Sequence, residues 1–222
     1  FLKIKEIQKK FIESNLRATI VPHSPYTVST EMMCKISKNI NSQNELISIH
    51  VEESKSEIEL FKNKKGALYD WLNNIGANPQ IWFKRNSSRA VVKELNFKKL
   101  MLVHNTFSKK ADFDENYYCV CPKANLYIEK TLPNFSIFNP KKLCVGTDSL
   151  ASNSKLSILE EILEIQNNTD YDINSILKMA SKNGAEALGF AELGTFSKGK
   201  TPGVNLVQYK NNKLQNQIKV LA

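Results

Sequence analysis

Leu143-Cys-Val-Gly-Thr-Asp-Ser-Leu-Ala-Ser-Asn153 is the stretch on which the reading of this chain turns. Leu143 to Val145 is a short apolar run that predicts a buried strand, Gly146 frees the backbone, and Asp148 stands at the strand's carboxyl end. An acid in that place can bind a metal. Beyond it, Ser154 to Gln166 sets Leu156, Leu159, Ile162 and Leu163 at spacings of three and four, which predicts a helix packing one apolar stripe. Strand, polar tip and helix make one βα unit.

Working outward, the same unit recurs with an ionisable or polar residue at each tip. Arg17 to Pro22 ends at His23, Leu46 to Ile49 at His50, Lys99 to Val103 at His104, and Asn116 to Val120 in Cys121-Pro-Lys-Ala-Asn125. The chain has 3 histidines, and every one stands at such a tip. Parallel strands that gather their chemistry at their carboxyl ends, as in a (β/α)8 barrel, produce this distribution. Five strands of this kind are expected here, against the eight that close such a barrel.

Composition narrows the classes. The chain's 222 residues are 41% hydrophobic and 9% aromatic, enough for a full domain core, and no apolar run approaches the length of a membrane helix. The formal charge of +9 comes mostly from Lys in patches such as Lys62 to Lys65, Lys109-Lys110 and Lys198 to Lys200, read as solvated surface. No nucleic-acid module accompanies them, so neither nucleic acid nor membrane is expected as a partner. The four cysteines, Cys34, Cys119, Cys121 and Cys144, lack zinc-finger spacing and read as reduced thiols of a cytoplasmic protein. Cys119 and Cys121 point to one face of their strand, which leaves a metal role for them open.

Further helices are expected at Phe1 to Asn15, Thr30 to Lys38 and Ser87 to Leu95, one or two over Asp172 to Gly189 with Asp172 as an N-cap and Gly189 as a stop, and a helical or irregular segment from Glu53 to Phe61. Lys62 to Pro79 reads as a long connection, and Leu132 to Pro140 as a loop or short turn. The aromatics Tyr69, Trp71, Trp82 and Phe83 either cover a site mouth or pack ordinarily. Val204 to Tyr209 and Gln217 to Leu221 read as short strands.

Taken together, His23-Ser-Pro-Tyr-Thr-Val-Ser29, Ile49-His-Val-Glu-Glu-Ser54 with Glu57, Val103-His104, Cys121 to Asn125 and Gly146 to Asn153 resemble the amidohydrolase superfamily. The nearest branch is the cytosine-deaminase-like and chlorohydrolase-like metal-dependent hydrolases. The resemblance implies an α/β chain carrying the last five βα units of the barrel in residues 1–190 and end strands of a small β-sandwich in 191–222. It also implies a preceding amino-terminal segment of the same protein with a His-x-His pair of metal ligands. Without that pair the chain alone is expected to be inactive. A homodimer is a further partner left open.

The site residues follow from the same resemblance. His50 and Asp148 are the expected ligands of a divalent metal, zinc first, with iron or manganese as alternatives. Such a metal lowers the pKa of bound water toward neutrality, giving hydroxide at working pH. Asp148 is also the expected base, Glu53 the proton shuttle, and His104 a hydrogen-bond donor to the attacking water or the developing oxyanion. Glu57 is read as a structural partner. His23, Asn125 and Ser149 are expected to contact substrate, and Ala124 departs from the serine usual before that asparagine.

The function expected is therefore metal-dependent hydrolysis of a small molecule, deamination of an aminated heterocycle or nucleoside-like substrate above all. An amide or chloro-group hydrolase of the same superfamily is the alternative, and a catalytically silent, partner-binding remnant is a third.

Overall fold

The structure, a computed structural model, describes residues 1–43, 45–77, 85–109 and 115–221. Contacts divide the chain into two compact units, Phe1–Phe107 and Ser108–Ala222. Among the described residues the first unit holds α1 (Leu2–Glu13), α2 (Thr30–Gln43), β1 (Ile47–Val51), α3 (Lys55–Asn63), α4 (Ala67–Asn74), α5 (Ser88–Glu94) and β2 (Leu100–His104). The second holds β3 (Tyr117–Val120), α6 (Pro122–Glu129), a 3-10 turn at Phe135–Ile137, β4 (Leu143–Val145), α7 (Ile158–Asn168), α8 (Ile173–Ala180), α9 (Lys182–Leu188), β5 (Asn205–Lys210) and β6 (Lys213–Val220).

In the first unit β1 and β2 pair in parallel, with Ile47 opposite Leu100 and His50 opposite Val103. All five residues of β2 are buried, as a parallel strand covered on both faces requires, and this explains its unbroken Leu-Met-Leu-Val run. Ile47, Ile49 and Val51 of β1 are fully buried, and α2 contributes Met33, Ile36 and Ile40 to the core, α3 Leu60 and Phe61, and α5 Val91 and Val92. Each such side chain contributes on the order of 1.5–3 kcal/mol by leaving water.

Three expectations change here. Arg17 to Pro22 forms no strand: Pro22 lacks an N–H, and just beyond it the His50 N–H donates to the His23 carbonyl at 3.0 Å. The supposed connection Lys62 to Pro79 contains α4, which starts at Gly66, in the left-handed region with φ 98°, and buries Leu72. Trp82 and Phe83 lie outside the described residues. Finally, α1 forms as expected, but its periodic apolar residues Leu2, Ile4, Ile7, Phe11 and Ile12, which predict a packed face, are exposed, and Gln8 is its buried residue.

In the second unit β3 and β4 pair in parallel, Cys119 opposite Cys144. Gly146 is needed for space: a Cβ there would stand 2.9 Å from the Cys119 Sγ and 3.4 Å from the Cys121 Sγ. The left-handed residue of this tip is Asp148 itself, φ 57°. Helix α7 begins later than expected, at Ile158 after the Ser157 cap, so Leu156 lies outside it and exposed, while Leu159, Ile162 and Ile165 pack. Ser181 divides 172–189 into two helices, Asp172 caps the first by accepting from the Ser175 N–H at 3.1 Å, and Gly189 (φ 71°) ends the second. The tail is one antiparallel hairpin, β5 with β6, whose second strand starts at Lys213 rather than Gln217. Gln166 of α7 holds it, its Oε1 accepting from the Leu214 N–H at 2.8 Å.

Candidate active site

The tips of β1 and β2 bring His50, Glu53 and His104 together. The Glu53 carboxylate has one oxygen 3.4 Å from the His104 Nε2 and the other 4.0 Å from the His50 Nδ1. One ligand atom from each of the three lies within 4.8 Å of the others. The His104 side chain is fully buried and that of Glu53 is 13% exposed. The rings of His23 and His50 lie 4.7 Å apart, and those of His50 and His104 4.6 Å apart, edge to face. His23 is exposed and its Nδ1 shares a hydrogen bond of 2.9 Å with the Thr27 hydroxyl. His50 and His104 thus converge on one carboxylate, and His23 stands against the His50 ring.

Local backbone makes this convergence. Val51 ends β1, and Glu52 turns left-handed at φ 51°, which swings Glu53 back toward the strand ends. His104 and Asn105 are left-handed in succession, φ 71° and 55°. Such residues each cost on the order of 1 kcal/mol and persist where surrounding contacts over-determine them. Those contacts are polar and buried. The Glu57 carboxylate accepts from the Glu52 N–H at 2.8 Å and the Glu53 N–H at 2.9 Å. Ser88, at the start of α5, accepts from the Glu52 N–H at 3.3 Å. Arg89 donates from Nε to the Glu52 carboxylate at 3.5 Å and from Nη2 to the Asn105 Oδ1 at 2.8 Å. The Asn105 N–H reaches the Val51 carbonyl at 3.1 Å, closing the set across both tips.

Burial pushes the Glu57 carboxyl up to about 7, with the bonds from Ser88 and from the Glu53 and Glu52 amides opposing that rise. Burial, and after it the neighbouring Glu57 and Glu53 charges, hold the Tyr26 phenol well above its ordinary value, so it stays a hydrogen-bond donor. Ser88, Arg89 and Asn105 were missed from sequence. The available signal was Arg89 itself, one of three arginines in a lysine-rich chain, directly after the Ser87-Ser88 helix start.

The remaining predicted residues lie in the second unit. Asp148 is half-buried and receives a hydrogen bond from the Ser152 hydroxyl on its carboxylate. Ser149 is exposed, its hydroxyl accepting from the Ala151 N–H at 3.2 Å within the turn. Asn125 is 1% exposed in α6. A buried Glu161 accepts from the Lys123 N–H at 2.8 Å and from the Asn153 Nδ2 at 2.6 Å, and Asn153 also donates to the Thr147 carbonyl at 2.9 Å.

The amidohydrolase family model matches residues 2–222. The chain belongs to the amidohydrolase family. A 5-methylthioadenosine/S-adenosylhomocysteine deaminase of Bacillus cytotoxicus is 27% identical over 208 residues, 88% of this chain and 45% of that protein. Among solved amidohydrolase-like structures, Helicobacter pylori aminofutalosine deaminase superposes with a TM-score of 0.76 at 21% identity, over 96% of this chain and 58% of that one. An adenosine deaminase from Xanthomonas campestris, with bound zinc, gives 0.65 at 22% identity, over 90% of this chain and 46% of that one. The chain spans about half the length of the relatives it matches, such as 45% and 49% of two of them. The fold is therefore an α/β one carrying part of a (β/α)8 barrel. Among the described residues no helix is long and apolar enough to cross a membrane.

Proposed function

We propose that the whole protein is a metal-dependent hydrolase that deaminates an aminated heterocycle of the nucleoside kind. The observation that carries this is the Glu53 carboxylate, one oxygen 3.4 Å from His104 and the other 4.0 Å from His50. His50 offers an imidazole of the kind that suits zinc and neighbouring divalent metals, with ligand atoms of Glu53 and His104 within 4.8 Å of it. When bound, such a metal supplies a water of lowered pKa.

His50 is the ligand in this proposal. Glu53 is the group that moves a proton between water and the ring nitrogen or leaving amine, because its two oxygens already face the imidazole nitrogens of His104 and His50 in a partly dry setting. His104, fixed by burial, holds a hydrogen bond to charge that develops during attack. His23, steadied by Thr27, contacts substrate. Asp148 as ligand and base, and Asn125 and Ser149 toward substrate, rest on their own motifs and belong to the proposal alone.

The remaining assignments are proposals of the same kind. They are a barrel part in 1–190 with sandwich strands in 191–222, an amino-terminal segment that completes the protein, and a cytoplasmic location. The exposed apolar residues of α1 support that more polypeptide packs there, as do Leu206, Tyr209, Ile218 and Val220 of the hairpin.

The test is metal content and ammonia release by the product of the full-length gene, against a His50→Ala variant, with adenosine-type substrates. Close to one metal per chain in the parent, its loss in the variant, and ammonia from the aminated ring are expected. Chloride release in place of ammonia would move the assignment to the chloro-group hydrolases. A parent free of metal after growth with zinc, iron and manganese would overturn it in favour of a silent, partner-binding chain.

A further inference from the structure

Glu57 is fully buried and stands in the first turn of α3. Its neighbour Ser54 caps α3 by accepting from the Glu57 N–H at 3.1 Å, so Ser54-Lys-Ser-Glu57 has the spacing of a capping box. In an ordinary capping box the glutamate returns to the cap residue's own N–H. Here it reaches further, to the N–H groups of Glu52 and Glu53 at 2.8 and 2.9 Å. Each oxygen of one carboxylate therefore holds one of two consecutive amides, just where the chain turns left-handed at Glu52.

From this geometry we infer that Glu57 is a positioning residue: by gripping the Glu52 and Glu53 amides it sets where the Glu53 carboxylate stands between His50 and His104. Ser88 braces the same grip through the Glu52 N–H, and the Arg89 link from Glu52 to Asn105 carries it to the tip that bears His104. The inference rests on reading Glu53 as the proton-moving group. Its second consequence, the fixed Glu52–Glu53 backbone, is independent of any substrate.

The test uses the full-length protein and Glu57→Gln, which keeps the side-chain volume and turns one acceptor oxygen into a donor facing a backbone N–H. Amide hydrogen exchange at Glu52 and Glu53 is expected to speed up by about tenfold or more, with the β1 amides unchanged. Turnover is expected to fall about 10- to 100-fold with metal content retained, the range typical of groups that orient reacting residues. KM is expected to stay within about threefold, since the substrate's own contacts are untouched.

If Glu57→Gln does not fold, Ser88→Ala, which removes only the bracing hydroxyl, is read by the same measurements with the same signs. Unchanged exchange at both amides overturns the inference, as does a uniform rise across the unit accompanied by equal losses in kcat and metal. A parent protein that turns over nothing sinks the deaminase reading instead, and the exchange result still decides this one.

Discussion

Two strand tips in this molecule are each held by a buried glutamate on the following helix, and they are held differently. In the first unit Glu57 takes two consecutive backbone N–H groups, and the charged pair Glu52–Arg89 runs beside it to Asn105. In the second, Glu161 takes one backbone N–H, from Lys123, and a neutral Asn153 carries the link to the Thr147 carbonyl. The backbone demands differ in the same sense. Glu52, His104 and Asn105 are all left-handed at the first pair of tips, whereas Asp148 alone is left-handed at the second. A tip that bends three side-chain-bearing residues into a disfavoured region needs more partners to hold it there. Buried charge is the stiffer kind of partner because its bonds to amides are charge-assisted, although burial itself opposes the charge.

The sharpest way to break this comparison is Arg89→Met. It removes the guanidinium partner of the buried Glu52 carboxylate, so a loss of about 3–5 kcal/mol in urea unfolding is expected. Asn153→Ala in the second unit removes a neutral donor from Glu161, which keeps the Lys123 N–H, and is expected to cost about 1–3 kcal/mol by the same measurement. Equal losses would mean that the charged and neutral links do the same job.

Next comes pH. Burial raises the folded Glu57 value to about 7, so between roughly pH 4.5 and 7 the native chain keeps a proton that the unfolded chain has already released. Stability is fully present below that window and drains as the pH climbs through it. The 2.5 or so units correspond to about 3 kcal/mol, which Glu57→Gln is expected to remove from the slope between pH 4.5 and 8. Parallel denaturant midpoints for parent and variant check it, and identical slopes would contradict the burial cost assigned to Glu57. Burial raises Glu161 in the same direction, so Glu161→Gln is expected to flatten the slope with the same sign.

The smallest expected effect concerns the helix starts that carry the two clamps. Ser54 accepts from the Glu57 N–H at 3.1 Å and Ser157 from the Glu160 N–H at 3.4 Å. Either serine changed to alanine is expected to cost about 1 kcal/mol in thermal or urea unfolding. Ser54→Ala is expected to lower turnover as well, because it loosens the turn bearing Glu57. Ser157→Ala leaves Glu161 gripped by its own partners and is expected to leave turnover unchanged.

Much of this was legible in the residues. The apolar runs of β1, β2 and β4, the Asp172 cap and the Gly189 stop were readable because they depend on periodicity and on backbone chemistry within a few positions. So were His50 and His104, which stand at the carboxyl ends of β1 and β2, and Glu53 just beyond the first of them. Arg17 to Pro22 misled because an apolar run looks alike whether or not a ladder forms, and Pro22 withholds a donor. Helix α4 was hidden by Gly66 and Gly76, which read as loop punctuation when they bound a helix at both ends.

By itself, then, the sequence determined where the strands end and which reactive side chains stand at those ends, because strand tips and caps are local facts. The grip of Glu57 on two amides and the reach of Arg89 from Glu52 to Asn105 were decided only by tertiary structure, as were the three left-handed residues they hold. Those bonds join groups up to 37 positions apart, and burial, which no local pattern encodes, fixes their strength.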